Sequence, residues 1–272
     1  MPERIEKEKQ KVYVENKKMK IALIGCGNMG SALARHLAKH YSLTLCNRGK
    51  EKGQKLAKEV GAAWAASPAE AVKGADFVVL AIKPKDLSFL SSQISLNKDQ
   101  TLLSVLAGTS FSLLREKFPE PMIVRMMPNL AVTIGKGIVG FAEEEGSEGK
   151  QKHEIEKMFS SLGLLCFISE NKMDAFAALA ASSPAFVFVI MEAMMEAGVS
   201  LGFSFPESRE IVTAVFEGCA QLLKELPNHP AELKLQITSP GGTTIAGIQA
   251  LESGGVRSAL FEALNATYQK HV

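Results

Sequence analysis

The sequence is poor in the usual materials of a reactive centre. It has four cysteines (Cys26, Cys46, Cys166, Cys219), none in a CxxC pair. Their scatter fits neither a disulfide framework nor a zinc site and points to a reducing cytoplasm. Cys26 reads as a small space-filler, since no base stands beside it in the sequence. The five histidines (His36, His40, His153, His229, His271) fall in polar or terminal segments. None joins an acid and a nucleophile in a triad-like arrangement, and no metal-ligand spacing occurs. An excess of one charge is also missing: Lys+Arg 31 against Asp+Glu 29 leaves a net +2. That balance gives no electrostatic reason to expect nucleic acid or an anionic membrane as a partner. The most apolar run, 185–191 (AFVFVIM), is soon followed by Glu192 and Glu196 and is by itself too short to span a bilayer. Residues 1–18 are mostly charged, hold no apolar run long enough for a signal peptide, and read as a flexible extension or a short exposed helix.

What the chain does have is enough apolar material for a proper core. Of its 272 residues, 46% are hydrophobic, which suits one large domain or two modest ones. The apolar run 20–24 (KIALI) ends in Gly25 and reads as a buried parallel strand. A helical pattern over 28–39, a strand at 43–46 and a helix over 51–60 follow. Residues 75–82 (ADFVVLAI) form the clearest buried strand, stopped at Lys83-Pro84. Strands at 101–106 and 122–125 continue an alternation that implies a doubly wound parallel sheet with helices on both faces. Further strands are expected at 137–141 and 164–168, around a helix at 152–162. Beyond Glu170 the pattern is helical only: 174–201, 206–223, 231–237, 244–251 and 256–269. These patterns predict an α/β protein, with a Rossmann domain over 19–168 and an all-helical domain over 169–272.

Gly25-Cys26-Gly27-Asn28-Met29-Gly30 is a GxGxxG motif placed between a strand and a helix, the context in which it binds a dinucleotide. Gly25 makes the turn, Gly27 admits the pyrophosphate, and Gly30 lets helix pack on strand. NAD sites place an acid at the end of the second strand; here that place reads Cys46-Asn47-Arg48. Asn47 and Arg48 suit a 2′-phosphate, which favours NADP over NAD. Ser67 adds a polar group ahead of the helix at 68–73. Ala81, Ile82, Lys83 and Pro84, and then Ala107 and Gly108, follow strands at the end where ligands bind. Lys83 reads equally as a contact to the nicotinamide half or as a surface lysine. Pro128 and Asn129 read equally as a border of that site or as turn residues.

A second Gly-rich loop lies far along the chain. Gly241-Gly242-Thr243-Thr244 opens an apolar helical run, where backbone N–H groups hold an anion. It reads as the site of a substrate carboxylate. The helix across 185–201 is apolar nearly all round and has to be covered on every side. Either a second subunit covers it or it forms the centre of its own bundle; the first is the more economical.

With these motifs in place, the chain resembles the pyrroline-5-carboxylate reductases. The likeness rests on GCGNMG at 25–30, AIKP at 81–84, RMMPN at 125–129, and above all LKLQITSPGGTTIAGIQALESGG at 233–255. The resemblance implies reduction of the cyclic imine 1-pyrroline-5-carboxylate to L-proline by NADPH or NADH. It implies a homodimer, with dimers assembling into rings up to a decamer. It implies that Thr243 and Thr244 bind the substrate carboxylate and that Gln236 lies beside substrate and nicotinamide. It also implies that Glu170 approaches the substrate, and that substrate groups come from the partner's helical domain. No residue is expected to act as a catalytic acid or base; the task is orientation. One stretch departs from the family, which carries Ser-Gly-Ser-Gly-Pro-Ala where this chain has Ala180-Ala181-Ser182-Ser183-Pro184-Ala185. If those glycines serve tight packing or a left-handed turn, local backbone and substrate ring size change here. A reductase of a related cyclic imino acid and a non-catalytic NADP-binding assembly protein are the alternatives. A 3-hydroxyacid dehydrogenase of the 6-phosphogluconate type is disfavoured, because residues 174–201 contain no lysine.

Overall fold

Lys20–Ile24 forms β1, buried at its last four positions as a strand covered on both faces must be. The computed structural model describes residues 19–144, 146, 149 and 151–270, so the charged extension read at 1–18 lies outside the described residues. Around β1 stand β2 (Ser42–Cys46), β3 (Ala63–Trp64), β4 (Phe77–Leu80), β5 (Thr101–Ser104), β6 (Met122–Pro128), β7 (Gly137–Glu143) and β8 (Gly163–Phe167). They make one sheet in the order β3-β2-β1-β4-β5-β6-β7-β8. The order reverses between β1 and β4, which opens a crevice at the carboxyl ends of those strands.

Every pairing but one is parallel. The exception is β6 with β7, which run antiparallel. The connection between them, 129–136, is too short for the crossover that a parallel neighbour requires. Side chains alternate across the sheet into two core layers. Leu23, Leu45, Val79 and Leu103 enter one, with Leu33 of the first helix. Ala22, Val78, Leu102 and Ile123 enter the other, with Leu87 and Leu114.

Helix α1 (Asn28–Leu37) follows β1, and α2 (Lys50–Val60) follows β2. Short helices α3 (Pro68–Val72), α4 (Leu87–Ser91) and α5 (Phe111–Lys117) and the longer α6 (Lys152–Phe159) complete the layers. Ser67 caps α3 by accepting from the Glu70 amide at 3.2 Å.

The chain divides into two compact units, one ending at Ala181 and the other spanning Ser182–Lys270. This division falls later than the boundary read from the sequence at 168. The cause is α7 (Met173–Phe176) and the π-helical turn Ala177–Ser182 that follows it. Met173 and Ala177 are buried in the second core layer of the sheet.

The second unit consists of α8 (Ser183–Ser200), α9 (Phe205–Glu225), α10 (Pro230–Gln236), α11 (Thr243–Ser253) and α12 (Val256–Gln269). A capping box of Ser204 and Glu207 starts α9. Gly198 lets α8 approach α9, since a β-carbon there would lie 2.5 Å from the Ser208 hydroxyl. Among the described residues of this unit, only Ser208 and Val212 are buried. Helix α8 is therefore not the covered centre of its own bundle within one chain. Phe188, Val189, Phe203 and Phe261 all stand open.

The run at 185–191 is short by itself, but the helical stretch containing it, Glu170–Ser200, has 31 residues. By length and composition alone that stretch is long and apolar enough to cross a membrane.

Candidate active site

Strand register places the candidate cofactor residues. Ile24 pairs with Cys46 and with Leu80, so β1, β2 and β4 end side by side. The loops that follow them are the Gly-rich turn, Asn47-Arg48 and 81–84. The Gly25 amide donates to the Cys46 carbonyl at 2.9 Å, and the Ala81 amide donates to the Ile24 carbonyl at 2.8 Å. Gly25 has φ +105, and a β-carbon on it would strike the Ala81 carbonyl. A β-carbon on Gly30 would strike the Gly25 carbonyl. Gly27 differs: a β-carbon there meets nothing within 4 Å. Open space at the middle glycine is what an approaching pyrophosphate requires.

These loops surround a cavity of about 420 Å³. Gly25, Gly27, Asn47 and Arg48 line it, and so do Ala81, Ile82 and Lys83. Asn28, Met29, Gly30, Ser67, Pro84, Ala107 and Gly108 do not line it. Asn28, Met29 and Gly30 instead form the first turn of α1. That turn has no side-chain cap and no acidic residue, so its amide groups and the positive end of its dipole are free for an anion.

The amide side chain of Asn47 works at both ends. Its Oδ1 accepts from the Cys26 amide at 2.9 Å, and its Nδ2 donates to the Gly49 carbonyl at 2.9 Å. Asn47 thus braces the Gly-rich turn. Arg48 stands at the cavity with its side chain 84% exposed, 3.3 Å from the carboxylate of Asp86. Lys50 and Lys52 line the same cavity. This donor set, without an acid on β2, fits a nucleotide bearing a 2′-phosphate. Asp86 and Phe89 also line the cavity, and nothing in their sequence spacing marks them. Cys26 is fully buried, and burial together with nearby Cys46 pushes its thiol up to about 11. It stays protonated at neutral pH and packs rather than reacts.

The substrate candidates fall into two groups. Glu170 lies in the first unit, at the start of a 3₁₀ turn (Glu170–Lys172). Its Oε1 accepts from the Phe111 amide at 2.6 Å and from Arg125 Nη1 at 3.0 Å. Glu170 also lines a second cavity of about 820 Å³ beside Phe111, Phe167 and Asn171. Arg125, buried in β6, opens the RMMPN motif and stands in sequence as a lone charge in the apolar run 122–127, with no role marked for it.

Gln236, Gly242, Thr243 and Thr244 lie in the second unit. Gln236 ends α10 and is exposed. The turn between α10 and α11 is closed by the Thr238 hydroxyl on the Lys234 carbonyl at 2.6 Å and by the Gly242 amide on the Ser239 carbonyl at 3.1 Å. Gly241 has φ +68, a left-handed conformation that suits glycine. Gly242 is the N-cap of α11 and supplies no side-chain cap, and the first turn holds no acid. The amides at Thr243 and Thr244 are thus ready for an anion.

Residues 170–272 match the family described as pyrroline-5-carboxylate reductase dimerisation, and residues 20–108 match that described as NADP oxidoreductase coenzyme F420-dependent. A pyrroline-5-carboxylate reductase of Aquifex aeolicus is 36% identical over 256 residues, covering 93% of this chain and 96% of the relative. The chain belongs to the pyrroline-5-carboxylate reductase family.

Solved structures of pyrroline-5-carboxylate reductases share the fold. That of Streptococcus pyogenes superposes with a TM-score of 0.88 at 30% identity, over 93% of this chain and 98% of that one. That of Plasmodium falciparum, which has NADP bound, gives 0.82 at 26% identity over the same shares. The long apolar stretch at 170–200 falls inside the dimerisation match. The departure from the family's glycines at Ala181 and Ser183 falls where the π-helical turn enters α8. Among the described residues no non-glycine has a positive φ, so Ala181 and Ser183 adopt no left-handed turn.

Proposed function

We propose that the chain is an NADPH-dependent reductase of 1-pyrroline-5-carboxylate, acting on a C=N bond and yielding L-proline. The observation that carries this reading is the uncapped helix start at Gly242–Thr244, inside the segment that matches the reductase family. A dinucleotide fold alone does not specify a substrate; a second anion cradle, for a carboxylate, favours a small acid.

The cofactor is held by the Gly25–Gly30 turn, by the amides that open α1, and by Arg48, with Asn47 bracing the turn. When bound, the reduced nicotinamide supplies hydride. On a substrate whose imine nitrogen already carries its proton, the chain's part would be to hold the C=N bond against that ring. The protein therefore needs no general acid at the reacting bond, and orientation is its main contribution. Thr243 and Thr244 hold the carboxylate through their amides and one hydroxyl, and Gln236 flanks the ring. NADH serves the same turn but leaves Arg48 without its phosphate.

The helical half self-associates. Its exposed apolar side chains and the dimerisation-family match support a homodimer; a larger ring of dimers, and substrate groups supplied by the partner subunit, are what the family resemblance implies. The four thiols, all free, suit a cytoplasmic setting.

The test is NADPH oxidation followed at 340 nm with 1-pyrroline-5-carboxylate, and L-proline identified as product. Turnover that requires both compounds supports the assignment. Tight NADPH binding without turnover on this imine, or faster turnover on a six-membered cyclic imino acid, contradicts it.

A further inference from the structure

Arg125 stands opposite Ser104 in the sheet, with its side chain only 5% exposed. A buried guanidinium needs carboxylate partners. Glu170 supplies one at 3.0 Å, and Asp174 lies at 4.0 Å. The same Glu170 oxygen accepts from the Phe111 amide at 2.6 Å. That amide belongs to the first turn of α5, where N–H groups have no partner within the helix. Ser110 satisfies another of them, the Leu113 amide, at 3.3 Å. A single carboxylate oxygen thus ties β6 to the helix that follows β5.

The segment between β5 and α5 needs such a tie. Gly108 turns with φ +61. Thr109 is buried, and its hydroxyl donates to the Ala107 carbonyl at 3.3 Å. Leu106 and Phe111, on either side of this turn, share a buried cluster with Met127 of β6, and the Glu170 carboxylate adds a polar tie to that apolar packing. We propose that Arg125 and Glu170 are positioning residues: through the Phe111 amide they fix the Ala107–Thr109 turn where it receives the cofactor. Glu170 on this account acts within its own chain rather than on the imino acid. The inference rests on the reading that Ala107 and Gly108, which stand outside the cavity of about 420 Å³, border the bound cofactor beyond it.

The experiment is fluorescence titration of NADPH into the intact protein, paired with thermal melting and steady-state kinetics. Glu170→Gln keeps an oxygen that accepts from both Arg125 and Phe111. Its dissociation constant for NADPH is expected within about threefold of the parent. Glu170→Ala is expected to weaken binding about tenfold or more, equivalent to at least ~1.4 kcal/mol. Since that variant strands a buried arginine, Glu170→Ala with Arg125→Met tests the same point without the stranded charge; the same weakening is expected. Lower melting temperatures with unchanged NADPH affinity make the pair merely structural and overturn the proposal. So does a Glu170→Gln variant as weak as Glu170→Ala, which puts the effect in the charge. An altered KM for the imino acid with intact NADPH affinity also overturns it, by placing Glu170 on the substrate. A parent protein that fails to bind NADPH refutes the proposed function instead, and the two failures are told apart by that control.

Discussion

Gly30 packs against Gly25 so closely that a β-carbon on the first would overlap the carbonyl oxygen of the second. Two glycines five residues apart thereby hold helix α1 against the end of β1, with the middle glycine facing empty space. Gly30→Ala forces them apart. Overpacking of this kind costs about 1–3 kcal/mol. A lower melting temperature is expected, with NADPH affinity weakened by about tenfold or more. Unchanged titration curves would show that the turn tolerates expansion.

Asn47 braces the same turn from β2. Asn47→Ala leaves the Cys26 amide without its acceptor, and an unsatisfied partly buried donor costs about 1–3 kcal/mol. Loss of NADPH affinity and of NADH affinity in equal measure is expected, because the brace serves both cofactors. A variant that discriminates between them would make Asn47 a direct phosphate contact instead.

Arg48 is the converse case. Its guanidinium is exposed, with the Asp86 carboxylate at 3.3 Å, so the cation is available to a phosphate. Arg48→Ala removes a charge-assisted contact worth about 1.5–3 kcal/mol, roughly tenfold to a hundredfold in KM for NADPH. KM for NADH is expected to stay put. Equal losses for the two cofactors would count against a role in recognising the 2′-phosphate.

Thr244→Val keeps the shape of the side chain and deletes its hydroxyl. A hydrogen bond to a charged group is worth about 1.5–3 kcal/mol. A sharp rise in KM for the imino acid, at constant NADPH affinity, is expected from steady-state kinetics. Kinetics indistinguishable from the parent would remove the hydroxyl from the carboxylate site.

His36 gives a pH dependence of stability. It donates through Nε2 to the Met158 carbonyl at 2.7 Å and stacks on Phe159. Burial holds its pKa below the usual value, against the opposing pull of the Met158 carbonyl. The unfolded chain titrates near pH 6.5. Above that pH both states are neutral and the contribution to stability is complete. As pH falls through 6.5 the unfolded state takes the proton first, and stability declines. His36→Gln is expected to lose less melting temperature between pH 7.5 and 5.5 than the parent does. Parallel pH profiles would contradict this.

The parallel core of the fold was open to reading because its strands are short apolar runs ended by glycine or proline. β1 stops at Gly25, and the run containing β4 stops at Lys83-Pro84. β3 was hidden: two residues, Ala63 and Trp64, carry no periodicity. The antiparallel turn of β7 is a property of connection length rather than of pattern. α4 and α5 are too short to show a helical stripe. At the cofactor site, the loop glycines were legible through their GxGxxG spacing between a strand and a helix. Asp86 and Phe89 did not, because only the fold brings them to Arg48. Arg125 was visible as a charge among apolar residues, but its meaning depends on Glu170, which lies far along the chain.

The central claim joins a dinucleotide turn to a carboxylate cradle, and one measurement tests it most directly. It is a crystal structure of the protein grown with NADPH and a non-reacting proline analogue. The carboxylate is expected within about 3 Å of the amides of Thr243 and Thr244, with the adenosine phosphate beside Arg48. A carboxylate bound elsewhere in either protomer, with those amides facing water, would contradict the account.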